Sequence, residues 1–210
     1  MLNIELIDDT AHLKEFSPEW SRFHARVSAP TPFQTPEWLL TWWAHFHSGK
    51  PHVVIFRNDS QVVGVLPCFL HDWNNRLQLT LMGSGITDYL DPVFDMRHCS
   101  AIMDAFTGHL HNQSGWDVCN WQDLSAGTPL RALGPTVDDS PCSRIPLADS
   151  FEAYHAALPY GIRRNIRRDT TQTETLGPIQ FAVTTEADPN LLNALADLHR
   201  ARWQRTASPA

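Results

Sequence analysis

No stretch of this 210-residue chain approaches the roughly 18 consecutive apolar residues that cross a bilayer, so a membrane-spanning helix is not expected. The opening residues, MLNIELIDD, are acidic where a secretory leader would carry a basic segment and then an apolar one, and the reading is a cytoplasmic protein. Positive charge is short as well. Sixteen Lys and Arg stand against 23 Asp and Glu, a formal net charge of -7, which argues against a protein whose main work is gripping nucleic-acid backbone.

Cysteine is sparse. Cys68, Cys99, Cys119 and Cys142 lie far apart with no CxxC pair, which excludes a disulfide framework and leaves reduced thiols. No internal repeat or low-complexity tract is visible. A serine-hydrolase elbow is missing too, because Gly83-Ser84-Gly85 is not GxSxG and none of the 11 histidines is singled out as a base. His45/His47 and His109/His111 are HxH pairs, yet on a helix positions i and i+2 point to different sides, and no carboxylate or thiol completes a metal set. Structural roles are expected for them, and no metal. Asn58-Asp59-Ser60 and Asn112-Gln113-Ser114 match the glycosylation sequon but read more simply as a hairpin turn and a helix end.

What remains is a globular balance, 42% hydrophobic and 19% charged, with a heavy load of eight Trp. Residues 2–7 alternate as a first strand, and Asp8, Asp9 and Thr10 offer caps for a helix through Leu13, Phe16, Trp20 and Phe23, which Pro18 is expected to split in two. Pro30 and Pro32 mark a loop. Thr35-Pro36-Glu37 then supplies a cap, a proline at the first helical position and an acid in the first turn, opening a helix whose face of Trp38, Leu39, Trp42, Trp43 and Phe46 is read as core. Residues 52–57 and 61–70 form a hairpin, with Gly64 and Pro67 pointing to a bulge or an edge, and residues 76–82 give the next strand. A helix over 97–111, a strand over 116–121, a short helix near 127–133 and a strand over 140–146 follow. Beyond them come a helix capped by Ser150, a second starting at Ile162, a strand over 179–183 and a last helix bearing Leu191, Leu195, Leu198 and Trp203. The element order predicts a mixed α/β (α+β) fold, a central mixed sheet flanked by helices, with a boundary near 147 and too few elements after it to bury their own apolar faces.

Two places carry candidate chemistry. In Gly83-Ser84-Gly85-Ile86-Thr87-Asp88-Tyr89-Leu90-Asp91-Pro92, a strand pattern breaks into a glycine pair and then into acid, phenol and acid. Two carboxylates repel an anion, so the stretch is no phosphate cradle; it is either a candidate substrate loop at Asp88, Tyr89 and Asp91 or a turn between strands. On the helix from Ile162, Ile162 and Ile166 share one side while Arg163, Arg164, Arg167 and Arg168 form a stripe opposite. Guanidinium forks suit an anionic ligand, and a solvated helix face explains them equally well.

Four segments taken together resemble a known family: Phe33-Gln34-Thr35-Pro36-Glu37-Trp38-Leu39 with Trp42-Trp43, the stretch from Gly83 to Pro92, Ile162 to Arg168, and Leu198-His199-Arg200-Ala201-Arg202-Trp203. They look like the GNAT-superfamily acetyltransferases associated with cellulose biosynthesis, the CelD/BcsL group, which are related in architecture to the FemAB/FemX aminoacyltransferases. The resemblance runs over essentially the whole chain. It implies a tandem GNAT arrangement, with 1–147 a GNAT-like domain and 148–210 the truncated start of a second unit that would carry the acyl-CoA pocket. No segment resembles the glycine-containing turn that holds a pyrophosphate at a helix N-terminus in such units.

What the resemblance implies is N-acyl transfer from acetyl-CoA or another acyl-CoA, as co-substrate and not as a tightly bound cofactor, to a small-molecule or saccharide-linked amine. This chain would provide the acceptor side, with Asp88, Tyr89 and Asp91 at the acceptor and the four arginines at an anionic part of either substrate. It names no catalytic base. The alternative is a catalytically inert binding or remnant domain; a homodimer that buries the orphan helices is a third reading.

Overall fold

The computed structural model describes residues 2–27, 31–112, 115–137, 141–143 and 145–206. The chain divides into two compact units, 1–140 and 141–210.

In the first unit, β1 (Leu2–Ile7), β2 (Lys50–Asn58), β3 (Gln61–Trp73) and β4 (Arg76–Leu81) are joined antiparallel in that order. β6 (Val118–Asn120) then lies parallel to β4, and β5 (Val93–Phe94) pairs with the first half of β3. The sheet is mixed, as expected. Three helices cover it: α1 (Thr10–His24) and α2 (Pro36–Phe46) contribute to one apolar cluster, α3 (Cys99–Asn112) to the other. Along β2, Val53 and Ile55 enter the α1/α2 cluster while Val54 and Phe56 enter the α3 cluster, so the strand is apolar without alternation because both of its faces are buried.

Local chemistry sets the turns. Asp59, at φ 53, opens the two-residue link between β2 and β3; Asn74 and Asn75, at φ 56 and 60, make the next one, with Asn75 N–H donating to Asp72 Oδ1 at 3.1 Å. The expected bulge is present, as a register shift at Phe56/Arg57 opposite Val62 to Gly64, but β3 is central and not an edge. A Cβ on Gly64 would stand 3.0 Å from Phe56 and 3.1 Å from both Ile102 and Phe94, so the glycine lets α3 and β5 pack closely on the strand.

The split of the first helix at Pro18 does not occur. Proline leaves the Lys14 carbonyl without its helical N–H, and the Ser17 hydroxyl donates to that oxygen instead, at 2.9 Å. Leu13, Phe16, Trp20 and Phe23 are then buried on both sides of the proline, which favours one continuous helix. Asp9 caps it through Ala11 N–H and His12 N–H at 2.9 and 3.0 Å.

The second unit contains α4 (Phe151–Ala157), α5 (Tyr160–Glu174) and α6 (Pro189–Thr206). Ser150 Oγ accepts from Ala153 N–H at 3.1 Å, the expected cap. The strand expected over 179–183 is absent: Phe181 and Val183 are each 95% exposed, and no strand exists among the described residues of this unit to supply ladder partners. The strand expected over 140–146 is absent from 141–143 and 145–146; positions 140 and 144 lie outside the described residues, as do Pro30, Gln113 and Ser114. No helix among the described residues is long and apolar enough to cross a membrane.

Candidate functional site

Because β4 and β6 run parallel, the loops that leave their C-terminal ends emerge on the same side of the sheet. These loops are residues 82–92 and 121–128, and hydrogen bonds of backbone and side chains tie them and the strand ends beside them together. Thr80 Oγ1 donates to the Asn120 carbonyl at 2.7 Å, Leu90 N–H to the Asp123 carbonyl at 2.9 Å, and Ser125 N–H to Asp91 Oδ1 at 3.2 Å.

The glycine pair serves shape. Gly83, at φ 96, is buried, and a Cβ there would come within 2.8 Å of Leu90 Cδ2 and Thr87 Oγ1. Gly85, at φ 91, faces open space. Neither leads into a helix, so the loop does not present the helix N-terminus on which a phosphate is cradled.

The candidate residues of this loop separate into two kinds. Asp91 bonds within the protein: its carboxylate receives Ser125 N–H, while Gln34 Nε2 donates to the Asp91 and Pro92 carbonyls at 3.0 and 3.1 Å. Asp88 is exposed, and Tyr89 packs at 5.7 Å on Phe33, whose ring meets the edge of Trp38 at 5.2 Å. Trp38 Nε1 donates to Thr87 Oγ1 at 3.1 Å. Read from sequence as core, Trp38 instead stays 36% exposed beside this loop, and Phe46 at the other end of α2 is exposed as well; only Leu39, Trp42 and Trp43 of that face are buried.

Asp123 enters the same surface from the β6 loop, on a left-handed backbone at φ 54. Partial desolvation, and after it the charge of Asp88, push its carboxyl above the ordinary aspartate range. Nothing in the sequence marks Asp123: its nearness to Asp88 depends on a parallel pairing between strands distant along the chain. Phe33, Trp38, Tyr89, Asp88 and Asp123 together offer rings and carboxylates on one surface, which suits a cation with an apolar body. Two surface depressions, of about 330 Å³ beside α1 and α2 and about 490 Å³ near Arg22 and Gln61, include none of these residues.

The four arginines lie on α5 in the second unit. Arg164, Arg167 and Arg168 are exposed and Arg163 is half-buried, its Nε without a hydrogen-bond partner among the described residues. Arg168 pairs with its neighbour Asp169 at 2.9 Å. Ile162 and Ile166 stand on the other side of the helix, as the periodicity predicts, but both remain exposed.

The histidine pairs take local partners. His47 donates from Nδ1 to the Trp43 carbonyl, His111 from Nδ1 to the Thr107 carbonyl at 2.7 Å, and His109 meets His52. No group of three or more potential ligands that could hold a metal ion is found among the described residues. At the start of α3, where a pyrophosphate would need free amides, Asp95 instead caps the turn by accepting from Arg97 N–H at 3.1 Å. The Arg97 guanidinium, which also donates to this carboxylate at 2.7 Å, holds it at about 2 and balances its charge.

No protein-family model matches the sequence, and no curated protein matches it. Solved structures with a similar arrangement include an aminoglycoside acetyltransferase from an uncultured soil metagenomic sample, in complex with sisomicin. It is 15% identical, with a TM-score of 0.40, over 70% of this chain and 97% of the other. The same enzyme in complex with trehalose is 16% identical over the same shares, at 0.38. A ribosomal-protein-alanine N-acetyltransferase from Brucella melitensis biovar Abortus 2308 is 13% identical over 70% of this chain and all of its own, at 0.40.

Proposed function

We propose that this chain supplies the acceptor side of a GNAT-type N-acyltransferase of the cellulose-biosynthesis-associated group, in which acyl-CoA acylates an amine. The observation that carries the reading is that Asp88 and Asp123, near enough for their charges to interact, lie on the two loops at the C-terminal ends of the parallel strands, with Tyr89, next to Asp88 in the chain, packed on Phe33 and through it on Trp38. A free amine is an ammonium ion in neutral water. Two carboxylates draw it in, and ring faces take its charge and its apolar body. For transfer the ammonium loses a proton, its nitrogen attacks the thioester carbonyl, and the C–S bond breaks to release CoA as a thiolate that takes up a proton. Asp123, whose carboxyl is pushed up, is the acceptor for the ammonium proton in this reading. The arginines of α5 supply charge for an anionic part of either substrate, and a saccharide-linked amine fits the combination of rings and acids.

The donor side is a separate matter. At the entry of α3 the Arg97 amide is already taken by Asp95, which favours the second reading, a binding domain without catalysis of its own. Two titrations of the purified chain separate them. Glucosamine is expected to shift the indole N–H resonance of Trp38 at millimolar concentration, and Asp88→Asn to abolish that shift; no shift with glucosamine removes the acceptor reading. Calorimetry with acetyl-CoA tests the donor side independently: heat of binding supports an autonomous enzyme, and its absence alongside a Trp38 shift supports the binding domain.

A further inference from the structure

On the α3 side of the sheet two imidazoles meet. His52, on β2, is only 5% exposed, and its Nε2 lies 3.2 Å from Nε2 of His109, on α3. The Trp116 ring stands edge-on to His52 at 5.2 Å and tilted at 6.1 Å to His109, whose other side stacks at 6.2 Å on Phe106. A bond between two Nε2 atoms requires one N–H and one lone pair, so it fixes the two rings in complementary neutral tautomers. One proton added to the pair can be shared across the bond. A second turns both nitrogens into donors that face each other inside an apolar wall.

We propose that the His52–His109 pair is an acid-sensitive latch that holds the C-terminal half of α3 on the sheet. The rest of that contact, through Ile102, Phe106 and Leu110, is apolar and does not respond to pH. The groups around the latch leave it little charge compensation. Asp8, at the end of β1, is the carboxylate whose charge favours protonation of His52. Cys68, opposite His52 on β3, is driven up by burial, and Cys119 on β6 likewise, so both thiols stay neutral. Burial, and then the neighbouring His109, hold His52 down at about 4, and burial lowers His109 as well.

The sign follows from these directions. The folded state keeps the pair neutral, whereas the unfolded chain takes up protons as pH falls below about 6.5, the ordinary histidine value. Stability from the latch is therefore full above that pH, is lost as pH falls toward 4, and changes no further below it. A drop from 6.5 to about 4 corresponds to roughly a hundredfold or more in the unfolding equilibrium.

Chemical denaturation between pH 7.5 and 4, with amide hydrogen exchange, tests the latch. His52→Gln keeps a hydrogen-bonding group beside His109 but cannot titrate, so it is expected to lose most of that hundredfold acid sensitivity, while His111→Gln on the same helix retains it. In the wild-type chain at pH 5, α3 amides near His109 are expected to exchange faster relative to those of β2 and β3 than at pH 7.5. Histidine ring ¹⁵N spectra of the unmutated protein provide the check that needs no variant: opposite tautomers at neutral pH, a His52 midpoint near 4 and a His109 midpoint below the ordinary histidine value. Ring midpoints near 6.5, an unchanged acid slope in His52→Gln, or uniform exchange across α3 and the sheet would each overturn the proposal.

Discussion

The two units respond to the same kind of sequence pattern in opposite ways. In α2, Leu39, Trp42 and Trp43 are buried on a strand layer, whereas in α6 Leu191, Leu195, Leu198 and Trp203 recur at helical spacing and are 56–71% exposed. Every fully buried large side chain of the described residues, from Trp20 to Leu130, belongs to the first unit. Apolar periodicity is enough to select a helix, but burial requires a second layer to receive the face. The first unit has a six-stranded sheet for that purpose, and the second has no strand among its described residues.

The largest contrast is expected on deleting apolar volume. Trp20→Ala or Phe56→Ala, both fully buried, is expected to cost about 3–5 kcal/mol in urea denaturation, and Leu195→Ala on α6 less than about 0.5 kcal/mol. A cost above about 2 kcal/mol for Leu195→Ala would erase the distinction.

Glycines sharpen the comparison next. Gly83 and Gly177 both hold positive φ, at 96 and 124, but only Gly83 is crowded. Gly83→Ala is expected to cost about 2–3 kcal/mol, strain and contact together, and Gly177→Ala about 1 kcal/mol from strain alone. Equal losses would show that the crowding around Gly83 relaxes without cost.

Helix caps give a smaller pair. Thr35 Oγ1 accepts from Trp38 N–H at 3.2 Å, and Thr35→Ala is expected to lower global stability by about 1 kcal/mol. Ser150→Ala removes the equivalent bond from α4, where no side chain is buried, and is expected to reduce helicity in circular dichroism while leaving the main unfolding midpoint in place. A joint shift of both signals would mean that the units unfold as one.

The smallest effect belongs to the ion pairs that tie β1, β2 and α1. Arg57 donates to Glu5 at 2.6 Å and to Glu19 at 2.8 Å. The Arg57 hydrogen bond holds the Glu19 carboxyl below the ordinary glutamate range, so its contribution is present above about pH 4.5 and is lost as pH falls through the lowered value. Glu19 is 37% exposed, and after allowance for solvent screening Glu19→Gln is expected to cost about 0.5 kcal/mol at pH 7 and progressively less as pH falls below about 4.5. A loss independent of pH would assign the effect to packing.

The hairpins, the Thr35 and Ser150 caps and the Gly83 turn were legible because each is decided by residues within a few positions of one another. Pro18 was misread because its cost is offset by a serine hydroxyl one residue away, a compensation that a count of helix breakers does not include. Residues 179–183 have strand composition, but composition cannot supply a neighbouring strand. Trp38 and Asp123 were missed for a related reason. One sits at the boundary of an apolar face whose limit is set by a loop 49 residues away, and the other reaches Asp88 only through the pairing of β4 with β6.

That pairing also has a consequence for the order of assembly. β2, β3 and β4 close through turns of two residues, whereas β6 must return across about 40 residues, with α3 between, before Thr80 can bond Asn120. Contacts of long sequence separation bear the largest loop-closure cost and form late. Substitutions in β6 are therefore expected to speed unfolding far more than they slow folding, while those in the β2–β3 turn act on the folding rate. A chain only part-way through folding would hold the β2–β3–β4 meander with Asp88 and Asp123 still apart, so the surface that carries the two carboxylates comes together after the hairpins beside it.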